Sequence, residues 1–133
     1  MDTRPLTAAQ KFSPNEFNEL VKQALDSLPE FFQEQMSNIE VIVSDWPTRA
    51  ELRSVGVSSR YSLLGLYQGI PLTKRSTNYG LVLPDKITIY RMPIERICRT
   101  PEAVIAQVRR TVLHELAHHF GISDDRLREL GAY

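Results

Sequence analysis

The first third of the chain has hydrophobic residues at helical spacing. Residues 13–16 combine an N-capping serine, a proline at the first helical position and a capping-box glutamate. The pattern predicts an amphipathic helix over residues 14–28 and a short second helix over residues 31–36. Residues 1–12 have no periodicity and are predicted to form a flexible arm. The apolar positions of the first helix are Phe17, Leu20, Val21, Ala24, Leu25 and Leu28.

Three stretches have the composition of β-strands. Residues 39–43 are mostly β-branched and alternate only partly, which predicts a largely buried strand. Residues 63–67 predict a second strand. Residues 86–90 alternate cleanly between polar and apolar side chains, which predicts a half-exposed strand. The long polar segment at residues 71–84 is equally typical of a functional loop and of a surface linker.

The last third carries the clearest helical signal. Residues 100–102 supply a cap, a proline and an early acidic residue. The helix is predicted to end at Gly121, a residue suited to the left-handed conformation, and a final short helix starts at Ser123 or Asp124. A shorter helix is predicted over residues 48–54. The apolar stripe of the long helix is formed by Val104, Ile105, Val108, Val112, Leu116 and Phe120.

The bulk properties fit one compact α+β domain. A length of 133 residues permits one core, so we predict a small mixed sheet packed on helices, in a single domain over residues 13–133. Sixteen basic residues balance sixteen acidic ones, which argues against nucleic-acid binding. The single cysteine, Cys98, permits no intrachain disulfide. Because there is no long apolar stretch or signal-peptide core, we expect no membrane association and a cytoplasmic location.

The residues that carry chemistry lie on the last long helix, in the run from His114 to His118, His-Glu-Leu-Ala-His. Four residues advance a helix by about 400°, so the two imidazoles lie roughly 40° apart and can reach one tetrahedral zinc ion. Glu115 is too far round to be a good ligand, which predicts that it is the catalytic general base. His119 points about 100° away from His118 and is expected to pack under the site or to hydrogen-bond there. The alternative is that the histidine pair only faces solvent or caps backbone.

The motif extends beyond His118 to Gly121 and Asp124, as H-E-x-x-H-x-x-G-x-x-D. A glycine with positive φ lets the chain double back just after the second ligand, so Asp124 could supply a carboxylate oxygen as the third metal ligand. Asp125 and Glu129 are the alternative ligands. Asp124 could also simply cap the final helix.

At these residues the sequence resembles the zincin metallopeptidases, and the extended motif is similar to that of metzincins with aspartate as third ligand. Residues 63–69 (LLGLYQG), 83–87 (LPDKI) and 114–121 (HELAHHFG) more closely resemble a family of small bacterial zincin-like metallopeptidases. The likeness covers residues from about 15 to 133. It implies a minimal zincin-like fold, with the motif helix beneath the sheet and the strand near Leu63–Tyr67 lining a substrate cleft.

The motif and the resemblance together predict a zinc-dependent metallopeptidase that acts on a peptide or protein substrate. A zinc-activated water would attack the peptide carbonyl, and Glu115 would pass its proton to the leaving amine. Tyr67 and Tyr79 are both candidates for stabilising an oxyanion. No methionine follows the motif, the last being Met92, so the Met-turn and lower cleft wall of metzincins are not expected. Two alternatives therefore stay open, namely a non-catalytic zinc-binding module and an adaptor that binds an extended peptide along the sheet edge.

Overall fold

The chain alternates short helices with the strands of a single small sheet. The computed structural model describes residues 12–69 and 84–130, so residues 1–11 of the predicted arm and residues 71–83 of the predicted loop lie outside the described residues. The predicted α+β class is confirmed. In chain order the elements are α1 (Pro14–Asp26), α2 (Glu30–Met36), β1 (Ile39–Ser44), α3 (Arg49–Ser54), β2 (Gly65–Gln68), β3 (Asp85–Tyr90), α4 (Arg91–Ile97), α5 (Pro101–Phe120) and α6 (Asp124–Glu129).

Helix ends follow the capping residues that the sequence contains. The Ser13 hydroxyl accepts a hydrogen bond from the Glu16 amide at 3.1 Å, and the Thr100 hydroxyl accepts one from the Ala103 amide at 3.1 Å. α5 ends at Gly121, whose φ of 67° is left-handed, as predicted. Within the described ranges, no helix combines the length and the apolarity that crossing a bilayer requires.

The sheet has three strands in the order β1-β3-β2, with β1 parallel and β2 antiparallel to the central β3. Two burial predictions were wrong because the sequence does not give this order. β1, predicted to be largely buried, lies at an edge of the sheet and its side chains are half-buried or exposed. β3, predicted to be half-exposed, is central and is buried from Ile87 to Tyr90.

Apolar side chains cover both faces of β3. On one face Ile87 and Ile89 join the main core, which α1 and α5 complete. On the other face Tyr90 packs against Leu63 and Leu66. Phe12, which the sequence placed in the flexible arm, is instead buried in the main core. Cys98 is also buried there. Because both faces are covered, even the polar Thr88 is buried, and the alternation along β3 does not indicate exposure.

β2 packs along α5 so that every second residue of the strand meets every fourth residue of the motif helix. An added Cβ at Gly65 would lie 2.6 Å from Thr111 Cγ2, whereas one at Gly69 would lie 3.8 Å from His119 Cε1. Tyr67, midway between the two glycines, contacts Glu115. Four helical residues rise about 6 Å and two strand residues about 6.6 Å, so these contacts repeat in step along both elements.

We expect a Gly65→Ala substitution to lower the free energy of unfolding by about 1–3 kcal/mol, because the new methyl group overlaps Thr111. Urea unfolding of the full chain measures the loss. A second substitution, Thr111→Ser, removes the overlapping methyl group but keeps the hydroxyl that accepts from Gln107, so it should restore part of the stability.

Gly69→Ala is the matched control, since its added methyl group makes only ordinary contacts and φ there is not positive. The control should change stability by less than about 1 kcal/mol. Wild-type stability in Gly65→Ala would show that β2 does not need this close approach.

Candidate functional site

Helix α5 presents the predicted ligand pair and the predicted base beside the edge strand β2. The imidazole rings of His114 and His118 lie with their centroids 6.4 Å apart and their planes 29° from parallel. The His114 side chain is 40% exposed and that of His118 is 78% exposed, whereas that of Glu115 is only 21% exposed. The pair is therefore open to solvent, and Glu115 lies between the helix and the strand.

The Glu115 carboxylate makes a different contact with each of its oxygens. Oε1 accepts a hydrogen bond from the Tyr67 backbone amide at 3.0 Å. Oε2 lies 4.0 Å from His118 Nδ1. Burial raises the pKa of Glu115, while the Tyr67 hydrogen bond and the two histidines oppose that rise. A carboxylate with a raised pKa holds a proton more strongly, which suits a general base.

The chain returns to the motif immediately after α5, as the glycine predicts. Gly121 ends the helix and Ser123 caps α6, since its hydroxyl accepts from the Arg126 amide at 3.1 Å. Asp124 is therefore not the capping residue. Its Oδ1 lies 3.7 Å from Nε2 of His114, so the turn brings this carboxylate to the first histidine of the motif.

The two alternative third ligands are engaged elsewhere. Asp125 pairs with Arg128 at 3.1 Å, and Glu129 pairs with Arg126 at 2.8 Å. These are exposed pairs within α6 and contribute little to stability. Of the three candidate carboxylates, Asp124 is the one that the structure places within 4 Å of a motif histidine.

The donor set can be compared with what zinc requires. Two imidazoles and a carboxylate are ordinary zinc ligands, and bonds of 2.0–2.2 Å in a tetrahedron put neighbouring donor atoms about 3.4 Å apart. The separation of 3.7 Å between His114 and Asp124 is close to that value. The rings of His114 and His118 are farther apart than the roughly 5 Å expected for two imidazoles that share one zinc ion.

Consistent with that wider spacing, residues 12–69 and 84–130 contain no group of three or more His, Cys, Asp or Glu side chains gathered closely enough to hold a metal ion. The His118 side chain is 78% exposed, so solvent and not packed protein surrounds most of its ring. The residue types and the His114–Asp124 distance thus fit zinc. The ligand assignment stays a prediction.

His119 belongs to a second cluster of side chains, with Tyr67 and Asp85. Its ring stacks on the Tyr67 ring, with centroids 4.0 Å apart and planes 19° from parallel. Its Nε2 lies 3.8 Å from Asp85 Oδ2, the atom to which the Tyr67 hydroxyl donates a hydrogen bond. The sequence predicts that His119 packs under the site or hydrogen-bonds there, and the contacts found are the ring stacking on Tyr67 and the approach to Asp85. The Tyr67 hydroxyl is directed at Asp85, and Tyr79, the other oxyanion candidate, lies outside the described residues.

Sequence reasoning missed two functional groups, the Asp85 carboxylate and the Tyr67 backbone amide. Asp85 entered only as part of the run that resembles a known family. Its position just before an alternating strand was a usable signal, since strand ends often carry polar groups that meet in a cleft. No sequence signal marks one backbone amide among many.

A cavity of about 260 Å³ opens beside Glu115, between the end of α3 and the motif helix. It is large enough for a side chain of a bound peptide. A larger cavity of about 430 Å³ lies between α1 and β1, where the described lining has no histidine or cysteine. The residues that line the smaller cavity are Val55, Leu66, Tyr67, Glu115, His118 and His119.

Comparison with known proteins identifies the family of the chain. A family model described as zincin-like metallopeptidase matches residues 36–132, from the end of α2 through the sheet, the motif helix and α6. The match therefore covers well over half of the chain and includes every residue of the site described above. A comparison with curated proteins finds no match to this chain.

Proposed function

Because this chain belongs to the zincin-like metallopeptidase family, we propose that it hydrolyses peptide bonds in a zinc-dependent reaction with Glu115 as general base. The observation that carries the proposal is the placement of Glu115. Its carboxylate is held by the edge strand at one oxygen, lies beside the two motif histidines and lines a cavity of about 260 Å³. The metzincin-like ligand set and the cytoplasmic location stay predictions.

In this proposal each residue of the site has a distinct role in the reaction. His114, His118 and Asp124 hold the zinc ion, which when bound supplies Lewis acidity to the peptide carbonyl and lowers the pKa of water. Glu115 takes a proton from the attacking water and delivers it to the nitrogen of the leaving amine. The Tyr67 amide already holds this carboxylate in place, so little further ordering of Glu115 is needed before either transfer.

The substrate backbone is expected to lie along the outer edge of β2. The Tyr90 amide donates to the Leu64 carbonyl at 3.0 Å, so alternate amides of β2 face β3. By this alternation the backbone polar groups of Gly65 and Tyr67 face away from the sheet, toward the site. Glu115 already occupies the Tyr67 amide, so an extended peptide would pair with the other backbone groups of this edge, with its side chains alternating in and out of the cleft.

Two other functions use the same surface. A zinc-binding module without activity is supported by the exposure of the His118 side chain, which is 78%. An adaptor that binds a peptide along β2 needs no metal. The wide spacing of the two motif rings favours this adaptor over the other alternative.

One assay separates the three functions. The full chain, loaded with zinc, is incubated with a diverse peptide library, and new amino termini are identified by mass spectrometry. We expect cleavage that stops when a chelator removes the metal and returns when zinc is added back.

Tight zinc binding without any cleavage would favour the non-catalytic module. Failure to take up zinc, together with saturable peptide binding, would favour the adaptor. A loading control measures zinc content per chain before each assay, so that inactivity is never confused with loss of the metal.

A further inference from the structure

The amide that holds Glu115 is not itself held by the sheet. β2 has four residues, and among the residues that the structure describes it pairs with β3 alone. By the alternation described above, the amides of Leu66 and Gln68 face β3, while that of Tyr67 points outward to Glu115 Oε1 at 3.0 Å. The position of this amide relative to α5 therefore depends on contacts other than the strand ladder.

The Tyr67 side chain supplies those contacts at both of its ends. Its hydroxyl donates to the carboxylate of Asp85, which begins the central strand β3. Its ring lies flat against His119 of α5, with a centroid separation of 4.0 Å. His119 and Asp85 also approach each other, at 3.8 Å between Nε2 and Oδ2. The Tyr67 side chain thus contacts both β3 and α5, the two elements that flank β2.

We propose that Asp85 and His119 are positioning residues, which act through Tyr67 to keep its amide on Glu115 Oε1 and leave Oε2 directed toward the reacting atoms. The catalytic part of this inference rests on the proposed function, whereas the structural part does not. Oε2 lies 4.0 Å from His118 Nδ1, and both residues line the cavity of about 260 Å³. The hydrogen bond to Oε1 opposes rotation of the carboxylate away from the site.

The position of the Glu115 carboxylate matters because proton transfer requires hydrogen-bond distances. A displacement of a catalytic group by about 1 Å can cost on the order of 100-fold in rate. Glu115 has several rotatable bonds, and the Tyr67 amide fixes the far end of its side chain. Asp85 and His119 do not need to touch the substrate for this effect.

Amide hydrogen exchange of the metal-free full chain, followed by NMR, tests the structural part. The Tyr67 amide should be protected in the wild type and should lose protection in Glu115→Ala. In Tyr67→Phe and in Asp85→Asn we expect protection at position 67 to fall about 5- to 10-fold. The amides of Leu66 and Gln68 serve as internal controls and should keep their protection, because they face β3.

Two results would overturn the inference. Unchanged protection at position 67 in both variants would show that the hydroxyl contact does not place the amide. An equal loss at positions 66, 67 and 68 would show that the substitutions only loosen the strand. Should Asp85→Asn fail to fold, Tyr67→Phe decides alone, since it removes one hydroxyl and keeps the ring.

Kinetics test the catalytic part. In zinc-loaded protein, Tyr67→Phe should lower kcat about 5- to 10-fold with KM within about twofold, because the base is displaced while the substrate edge remains. His119→Ala should lower kcat similarly, and His119→Phe, which keeps a stacking ring, should recover most of it. Tyr61→Phe, an exposed tyrosine that stacks with Arg96, is the matched control and should be unaffected.

A loss confined to KM, or no recovery in His119→Phe, would contradict the positioning role. If no peptide is cleaved by the wild type, the proposed function fails. The exchange measurement still decides in that case whether Asp85 and Tyr67 hold the amide.

Discussion

A Glu115→Gln variant is expected to bind zinc as the wild type does and to lose about 10²- to 10⁴-fold in kcat for peptide hydrolysis. The glutamine side chain is nearly isosteric, and its amide oxygen can still accept the hydrogen bond from the Tyr67 backbone. What it cannot do is take a proton from water. The variant therefore separates proton transfer from folding and from metal retention.

The measurement combines zinc content per chain, thermal unfolding and steady-state kinetics on one cleaved peptide. Glu102→Gln is the matched control, because it makes the same chemical change in the exposed first turn of the same helix. It should keep wild-type turnover. Full turnover in Glu115→Gln would remove Glu115 from the mechanism, and loss of zinc in that variant would make the residue a ligand instead.

The second large effect is expected on zinc affinity when each predicted metal ligand is replaced by alanine. His114→Ala and His118→Ala should each weaken zinc binding by more than about 100-fold, because two remaining donors hold the ion poorly. Asp124→Ala should weaken it by roughly 10- to 100-fold. Competition with a chelator of known affinity measures these constants.

In the same alanine variants, the increase in folding stability on adding zinc should fall as zinc affinity falls. At a free zinc concentration 100 times the dissociation constant, binding stabilises the folded chain by about 2.7 kcal/mol, and His114→Ala should lose this metal-dependent increment. Without zinc, its unfolding temperature should stay close to that of the metal-free wild type, since the His114 side chain is 40% exposed. Unfolding scans with and without zinc give both values.

Asp125→Ala and Glu129→Ala are the matched controls of that series. Both carboxylates lie on α6 and pair with arginines of the same helix, so we expect little change in zinc affinity. If either control lost zinc while Asp124→Ala kept it, the third ligand would be reassigned. If both histidine variants kept zinc, the metal site would lie elsewhere.

Local structure was largely predictable because it depends on neighbours in the sequence. The caps at Ser13 and Thr100 and the left-handed Gly121 were read from the chain and are present. The spacing of His114 and His118 likewise follows from helical periodicity. Even so, α1 ends at Asp26, two residues before its predicted end, because helix ends depend on the packing of the next segment.

The order of the strands was not predictable from their patterns. The pattern predicted a buried strand over residues 39–43 and a half-exposed strand over residues 86–90, whereas in the sheet the first is the more exposed and the second is the more buried. Alternation shows which residues share a face of a strand. It does not show whether a second layer covers the other face, as Leu63 and Leu66 do over Tyr90.

The sequence by itself determined the candidate chemistry, since two histidines and a glutamate within five helical residues share one side of a helix wherever that helix lies. Only the tertiary structure decided what surrounds them. It placed Asp124 near His114, the Tyr67 amide on Glu115 and Asp85 on the Tyr67 hydroxyl. The physical reason is that helical geometry acts between neighbours in the chain, whereas the contact between Tyr67 and Glu115 joins residues 48 positions apart and exists only after β2 has docked on α5.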